Sequence, residues 1–198
     1  MPNSYQYLDP EYVYTDPETG ILRNLAGVTD KETLILIEAG ATAKCINELQ
    51  KTPLKIKSSK TLLDIHKYLF QDVYSWAGVV RTVEISKGGT PFFPVKRFET
   101  AFSYIDSLIS EYRQIDNRQK KLLARKLAEI LDSVNFLHLF REGNGRTQRE
   151  FLRVLALEKG FMLNLNPPDN PAIYEYYMSG TINGDVEKLS AMIFEQIK

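Results

Sequence analysis

The sequence predicts one mainly α domain, a helical bundle that carries a single short β-hairpin. Apolar residues recur every three to four positions along most of the chain, helix-capping residues stand at the heads of these stripes, and one segment alone alternates apolar with polar residues. At 198 residues, 43% hydrophobic and 25% charged, the chain is long enough for one domain with a real core.

Taken in order, Met1 to Thr15 is polar and aromatic and lacks the apolar run of a secretory leader. Asp30 is placed to cap a first helix with Leu34, Ile37, Ala41, Cys45 and Leu49 along one side. Ser59 is placed to cap a second, with Leu62, Leu63, His66, Leu69 and Phe70. His66 reads as a core or boundary histidine, because nothing near it in sequence supplies a phosphate site or a nucleophile. Val83 and Ile85 then alternate with Glu84 and Ser86, and Lys87-Gly88-Gly89-Thr90 and Pro91-Phe92-Phe93 follow, which reads as a hairpin over about 83–93. Phe98, Phe102, Ile105, Ile109 and Tyr112 form a third helical stripe; Leu123, Leu127, Ile130, Leu131 and Val134 form a fourth that stops just before His138. A fifth helix runs from about Asn144 to Lys159 and is closed by Gly160. Asn170-Pro171 opens a sixth by cap and first-turn proline, and Asp185 can cap a seventh.

The charges balance, 25 against 25, and no long Lys/Arg run is present, which argues against nucleic acid or a membrane surface as the primary partner. Cys45 is the only cysteine, so no intramolecular disulfide can form; in an apolar stripe it reads as a small buried residue. No stretch approaches eighteen apolar residues, so the expected location is the cytoplasm, with delivery into another cell left open.

Residues 138 to 149 read His-Leu-Phe-Arg-Glu-Gly-Asn-Gly-Arg-Thr-Gln-Arg. His138 titrates near neutral pH and is the side chain in this run suited to taking a proton from an attacking hydroxyl. Gly143 and Gly145 tolerate unusual backbone angles and let amide N–H groups turn toward an anion at the start of a helix. Arg146 and Arg149, three apart on that helix, can present guanidinium forks from one face to further phosphate oxygens. Glu142 beside such a hole makes sense if a divalent cation intervenes, and magnesium, which takes one or two carboxylates plus substrate phosphates, fits. Each part alone is common. Seven fixed positions drawn at average usage meet in a given window about once in a billion.

This run resembles the motif of the Fic (Fido) proteins, His-Pro-Phe-x-Asp/Glu-Gly-Asn-Gly-Arg-x-x-Arg, with Leu139 in place of proline. Without that proline the preceding histidine is less restricted, and a slightly looser base is expected. Asn135, three before the histidine, and Leu69-Phe70-x-x-Val73-Tyr74-x-Trp76-Ala77-Gly78-x-x-Arg81 are also similar to family segments, as are Ser179-Gly180 and Gly184-Asp185 downstream. The Trp-Ala-Gly segment is expected to serve core packing. The resemblance covers roughly residues 10–198 and implies a Fic domain over 30–198, with 1–29 as an N-terminal extension packed on it or leading into it.

The resemblance implies a protein adenylyltransferase that moves AMP from ATP to a hydroxyl of a target protein. By position, His138 is then the base, Glu142 the magnesium ligand, and Gly143, Asn144 and Gly145 the α-phosphate hole. Arg146 and Arg149 hold the outer phosphates, with Asn135 and Lys87 also at the nucleotide. The hairpin, Lys87, Gly88, Gly89, Thr90, Pro91 and Phe92, becomes a flap that registers the target by strand addition, with Phe92 as clamp. Related Fic transferases with another nucleotide or donor, and a non-enzymatic nucleotide-binding interaction module, are the alternatives. The intact Gly-Asn-Gly-Arg and second arginine argue against the first, and the retained His138 against the second. Many family members carry an inhibitory helix with Ser/Thr-x-x-x-Glu-Gly/Asn. Here Ser107 and Glu111 alone show the spacing, with Tyr112 following and in the wrong helix, so the resemblance points to a toxin restrained by a small separate antitoxin.

Overall fold

The computed structural model describes residues 5–165 and 171–197. Among these, seven α-helices surround a core whose centre is α4, Lys120–Leu137, packed against α3 (Phe98–Gln114), α5 (Asn144–Glu158) and α7 (Val186–Gln196). Helices α1 (Lys31–Lys51) and α2 (Thr61–Phe70) cover α5 from the other side, and α6 (Pro171–Asn183) leans on α7. The stripes expected for α3 and α4 are buried residue for residue, from Phe98 to Tyr112 and from Leu123 to Val134.

Local signals act where expected at two helix starts. Asp30 accepts from the Thr33 N–H (2.8 Å) and Asp185 from the Lys188 N–H (3.0 Å), each satisfying a donor the helix itself leaves orphaned. Pro171 is the first residue of α6, while Asn170 lies outside the described residues. Ser59 departs from expectation. It caps nothing: its N–H reaches Asp106 (2.6 Å) and its Oγ donates to the Phe102 carbonyl (3.2 Å), so it ties α2 to α3. On α1 the buried side is Leu34, Thr42, Cys45 and Leu49, whereas Ile37 faces solvent.

The hairpin forms as β2 (Glu84–Lys87) and β3 (Thr90–Pro91). Gly88 and Gly89 turn at φ 57° and 84°, the pair of positive values a two-residue I′ turn requires. Unforeseen is β1, Tyr5–Leu8, which pairs antiparallel with β2 in the register Tyr5↔Lys87 to Leu8↔Glu84 and makes the hairpin a three-stranded sheet. A small second core of Tyr14, Val83 and Ile85 with Trp76 and Phe92 holds the N-terminal segment to the hairpin.

Candidate active site

Helix α4 ends at His138, which adopts left-handed angles (φ 45°, ψ 60°), and α5 starts after Gly143, also left-handed at φ 81°. The motif is therefore a helix–turn–helix corner. Its turn is pinned by Asn144, whose Oδ1 accepts from the Phe140 N–H (2.9 Å) and whose Nδ2 donates to the Phe140 carbonyl (2.7 Å). That side chain is a strut, leaving only the Asn144 backbone for an anion. Below the turn, His66 accepts from the Gly78 N–H at Nδ1 (2.8 Å) and so donates from Nε2 to the Glu142 carbonyl (3.0 Å). It also stacks on Phe140 at 3.7 Å between centroids, and burial pushes its pKa down to about 4. This core histidine thus supports the motif directly and explains what Gly78 does besides packing.

Gly143 is confined twice. Its positive φ strains any other residue, and a Cβ there would stand 2.4 Å from the Phe70 ring. With left-handed geometry costing about 1–2 kcal/mol and overpacking about 1–3, Gly143→Ala should lower stability by about 2–4 kcal/mol in urea unfolding at unchanged m-value. A loss under about 1 kcal/mol would contradict this account of the turn.

A cavity of about 610 Å³ opens at the corner, between the flap and α6. From the expected site it is lined by Lys87, Gly88, Thr90, Pro91, Phe92, Asn135, His138, Gly145 and Arg149. Asp132, Gln148, Tyr174 and Tyr177 are among the further lining residues from α4, α5 and α6. Phe92 stacks on His138 at 3.9 Å and 18°. Asn135 fixes α4 to α6 through the Thr181 carbonyl (3.0 Å). Arg149 lies against Tyr174 and Tyr177, and Gln148 Nε2 donates to the Tyr177 hydroxyl.

Gly89, Glu142, Gly143, Asn144 and Arg146 do not line this cavity. Gly89 is at the turn of the hairpin. The Gly143 N–H is engaged by Glu142 Oε1 (2.9 Å), a carboxylate oxygen standing where an anion would otherwise accept. The expectation that both motif arginines share one face fails for Arg146. Three residues span about 300° of helix and leave the two side chains about 60° apart, enough for α1 to take one of them. Arg146 pairs with Glu38 and lies within 3.4 Å of Thr42 Oγ1. Glu38, partly buried on α1, also accepts from the Tyr74 hydroxyl. Sequence reasoning passed over Glu38 because Leu34, not Ser or Thr, precedes it by four; its spacing of four from Thr42 on one helix face was the signal available. Glu111, the glutamate matching the inhibitory spacing, pairs with Lys126 (2.7 Å) on the outer side of α3 and α4.

His138 is held more firmly than the missing proline suggests. Its N–H bonds the Val134 carbonyl (3.2 Å) and its carbonyl accepts from Arg81 Nε (2.8 Å). Burial first, and then the Arg81 charge, push its pKa down to about 3, so the ring is neutral at physiological pH, with its basicity lowered by the same two causes. Arg81 is the second residue whose weight the sequence understated. Fully buried, it also donates to the carbonyls of Val83 (2.7 Å) and Phe93 (2.6 Å), and its N–H bonds the Leu139 carbonyl (2.8 Å). One guanidinium thus joins the base to both ends of the flap.

For magnesium, the donor set on hand is the half-exposed Glu142 carboxylate next to the α5 N-terminus. No group of three His, Cys, Asp or Glu able to hold a metal exists among the described residues. That suits an ion bound by one carboxylate together with substrate phosphates and does not suit a protein-only cage. No helix among the described residues is long and apolar enough to cross a membrane.

Comparison with known proteins bears on the family and the fold. The model of the Fic/DOC family matches residues 56–156. Protein adenylyltransferase VbhT of Bartonella schoenbuchensis is 33% identical over 189 residues, which are 91% of this chain and 38% of that protein. The chain thus spans well under half of that relative, while a match to the Escherichia coli protein named probable protein adenylyltransferase Fic, 30% identical, covers 96% of this chain and 92% of its relative. Among solved structures, the N-terminal Fic domain of Bep8 from Bartonella sp. 1-1C superposes with a TM-score of 0.82 at 22% identity, covering 94% of both chains. BepC from Bartonella tribocorum, with bound AMPPNP, gives 0.79 at 18% identity over 94% of this chain and 96% of that one.

Proposed function

Because the chain belongs to the Fic/DOC family, we propose that it is a protein adenylyltransferase, transferring AMP from ATP to a hydroxyl side chain of a target protein. The observation that carries this reading is the convergence of His138, Gly145 and Arg149 with the flap residues Lys87 and Phe92 on one cavity large enough for a nucleotide. In this reading the target hydroxyl gives its proton to neutral His138 as it attacks the α-phosphorus, and pyrophosphate leaves on the opposite side. The amides at the start of α5 receive the α-phosphate, and Arg149 takes a terminal phosphate. Lys87 reaches the nucleotide from the flap. Glu142 would hold magnesium jointly with phosphate oxygens, and the ion would supply charge neutralisation for the leaving group. Arg146, which pairs with Glu38, would take a further phosphate oxygen only by leaving that pair. Base catalysis contributes about 10²–10⁴ in rate, so positioning and charge stabilisation at the anion hole, about 3 kcal/mol per donor, carry the larger share.

The physiological setting we infer is the cytoplasm, with the protein acting as a bacterial toxin restrained by a small antitoxin whose glutamate pairs with Arg149. Supporting it, the chain's own match to the inhibitory spacing, Ser107 and Glu111, lies on an outer surface engaged with Lys126. Incubation with ATP and magnesium in bacterial lysate tests the reaction. Label on the adenine or α-phosphate should appear on a protein band, and γ-label should not. Transfer of γ-label would make the protein a kinase and end this reading.

A further inference from the structure

The position of β1 has a chemical consequence. Strand β2 is bordered on one side by β3 and on the other by residues 5–8 of the same chain, so the β2 edge of the hairpin, one of its two edges for strand addition, is already occupied. The occupant runs antiparallel to β2 and sets Tyr5 opposite Lys87. Side chains alternate along a strand: Tyr5 and Tyr7 face the site, while Leu8, 70% exposed, faces away. The Tyr5 ring lies 5.5 Å from the His138 ring and 6.1 Å from Phe92, with Lys87 Nζ 4.8 Å from its centroid. Tyr5 lines the same cavity as His138, Gly145 and Arg149.

We propose that Tyr5 is a built-in acceptor, adenylylated within its own chain. This rests on the adenylyl-transfer reading above and extends it to a specific modified residue. The step is a phosphoryl-centre displacement. The Tyr5 Oη–phosphorus bond forms, the bond from the α-phosphorus to the bridging oxygen of pyrophosphate breaks, the phenolic proton passes to His138, and pyrophosphate departs with the electron pair. No other reactant is needed.

Three features fit Tyr5 for this step. First, the strand is anchored at both ends of its connection to the domain. Tyr7 lies flat on Arg141 (3.3 Å), Asp9 accepts from the Val13 N–H (2.9 Å), and buried Tyr14 receives the Thr82 N–H on its hydroxyl (3.1 Å). A tethered acceptor in this register meets the base at a high effective concentration. Second, burial raises the Tyr5 pKa to about 12, so its hydroxyl keeps its proton and needs a base. Third, His138 beside it is neutral, and its ring nitrogen can receive that proton as the oxygen–phosphorus bond forms and the phenol turns acidic. The other hydroxyl on this face of the strand, that of Tyr7, sits over Arg141 and is not part of the cavity lining.

The test incubates the full chain with adenine-labelled ATP and magnesium and maps the label by peptide mass. The adenylyl group should appear on Tyr5, at a fractional rate independent of protein concentration. Tyr5→Phe, which keeps the ring and its stacking, should lose this label, and Tyr7→Phe should keep it. Label that persists on the N-terminal peptide of Tyr5→Phe would overturn the proposal, as would a rate that rises with protein concentration. A chain that labels proteins in bacterial lysate but never its own Tyr5 would refute the built-in acceptor while leaving adenylyl transfer intact. A chain that labels neither refutes both.

Discussion

Replacing His138 with alanine should abolish labelling of the target while ATP still binds. On the proposed reading the imidazole meets the attacking hydroxyl and the nucleotide is gripped elsewhere, by the α5 amides and Arg149, so the loss belongs to the rate of transfer and not to affinity. General base catalysis alone is worth about 10²–10⁴, and a smaller loss than about a hundredfold would mean that another group takes the proton. The pH profile gives a second readout. With His138 held neutral down to a pKa of about 3 by burial and by Arg81, its active form is present throughout the mildly acidic range, and protonation removes it only as pH falls through that low value. kcat/KM should therefore show no acid limb centred near 6.5, the range of an ordinary histidine. A limb at that pH that vanishes on changing the donor would not bear on His138; one that follows every donor would contradict the buried, neutral base.

The largest effect on stability is expected from Arg81→Met. Methionine preserves the length of the side chain but removes every donor, leaving the carbonyls of His138, Val83 and Phe93 without the partner they have now. Two terms compete. Relieving a buried guanidinium of its desolvation is favourable, and replacing a whole buried ion pair by apolar groups can even stabilise a protein. Here, however, apart from the exposed Glu84 carboxylate at 3.3 Å, the acceptors are backbone carbonyls that stay behind, each costing about 1–3 kcal/mol when buried and unpaired. The second term wins, and a net loss of about 3–5 kcal/mol in urea unfolding is expected. Labelling should fall as well, because the same guanidinium sets the flap against His138. A variant with parental stability would show that the three carbonyls find other partners and that Arg81 is not the joint between flap and motif.

How much of this was legible in the sequence differs between elements for a physical reason. Helices α3, α4 and α5 could be read because their apolar stripes and stops are set by residues within four positions of one another. The same holds for the caps at Asp30 and Asp185 and for the Gly88-Gly89 turn, where a backbone requirement sits on the residue itself. Ser59 misled because a cap signal is only a local option: a buried serine close to Asp106 and the Phe102 carbonyl found better partners across the core than at its own helix.

The sequence by itself determined the helical architecture, the hairpin, and the chemical inventory of the motif at residues 138–149, since composition and short-range spacing carry all three. Only the tertiary structure decided which of those groups face the cavity. It turned Asn144 into a strut and drew Arg146 to Glu38 across from α1. It also made Arg81 the link between base and flap, and laid Tyr5 beside Lys87 at the edge of β2. These are pairings between residues distant along the chain, fixed by which buried polar groups can satisfy one another once the core has closed, and no local pattern records them.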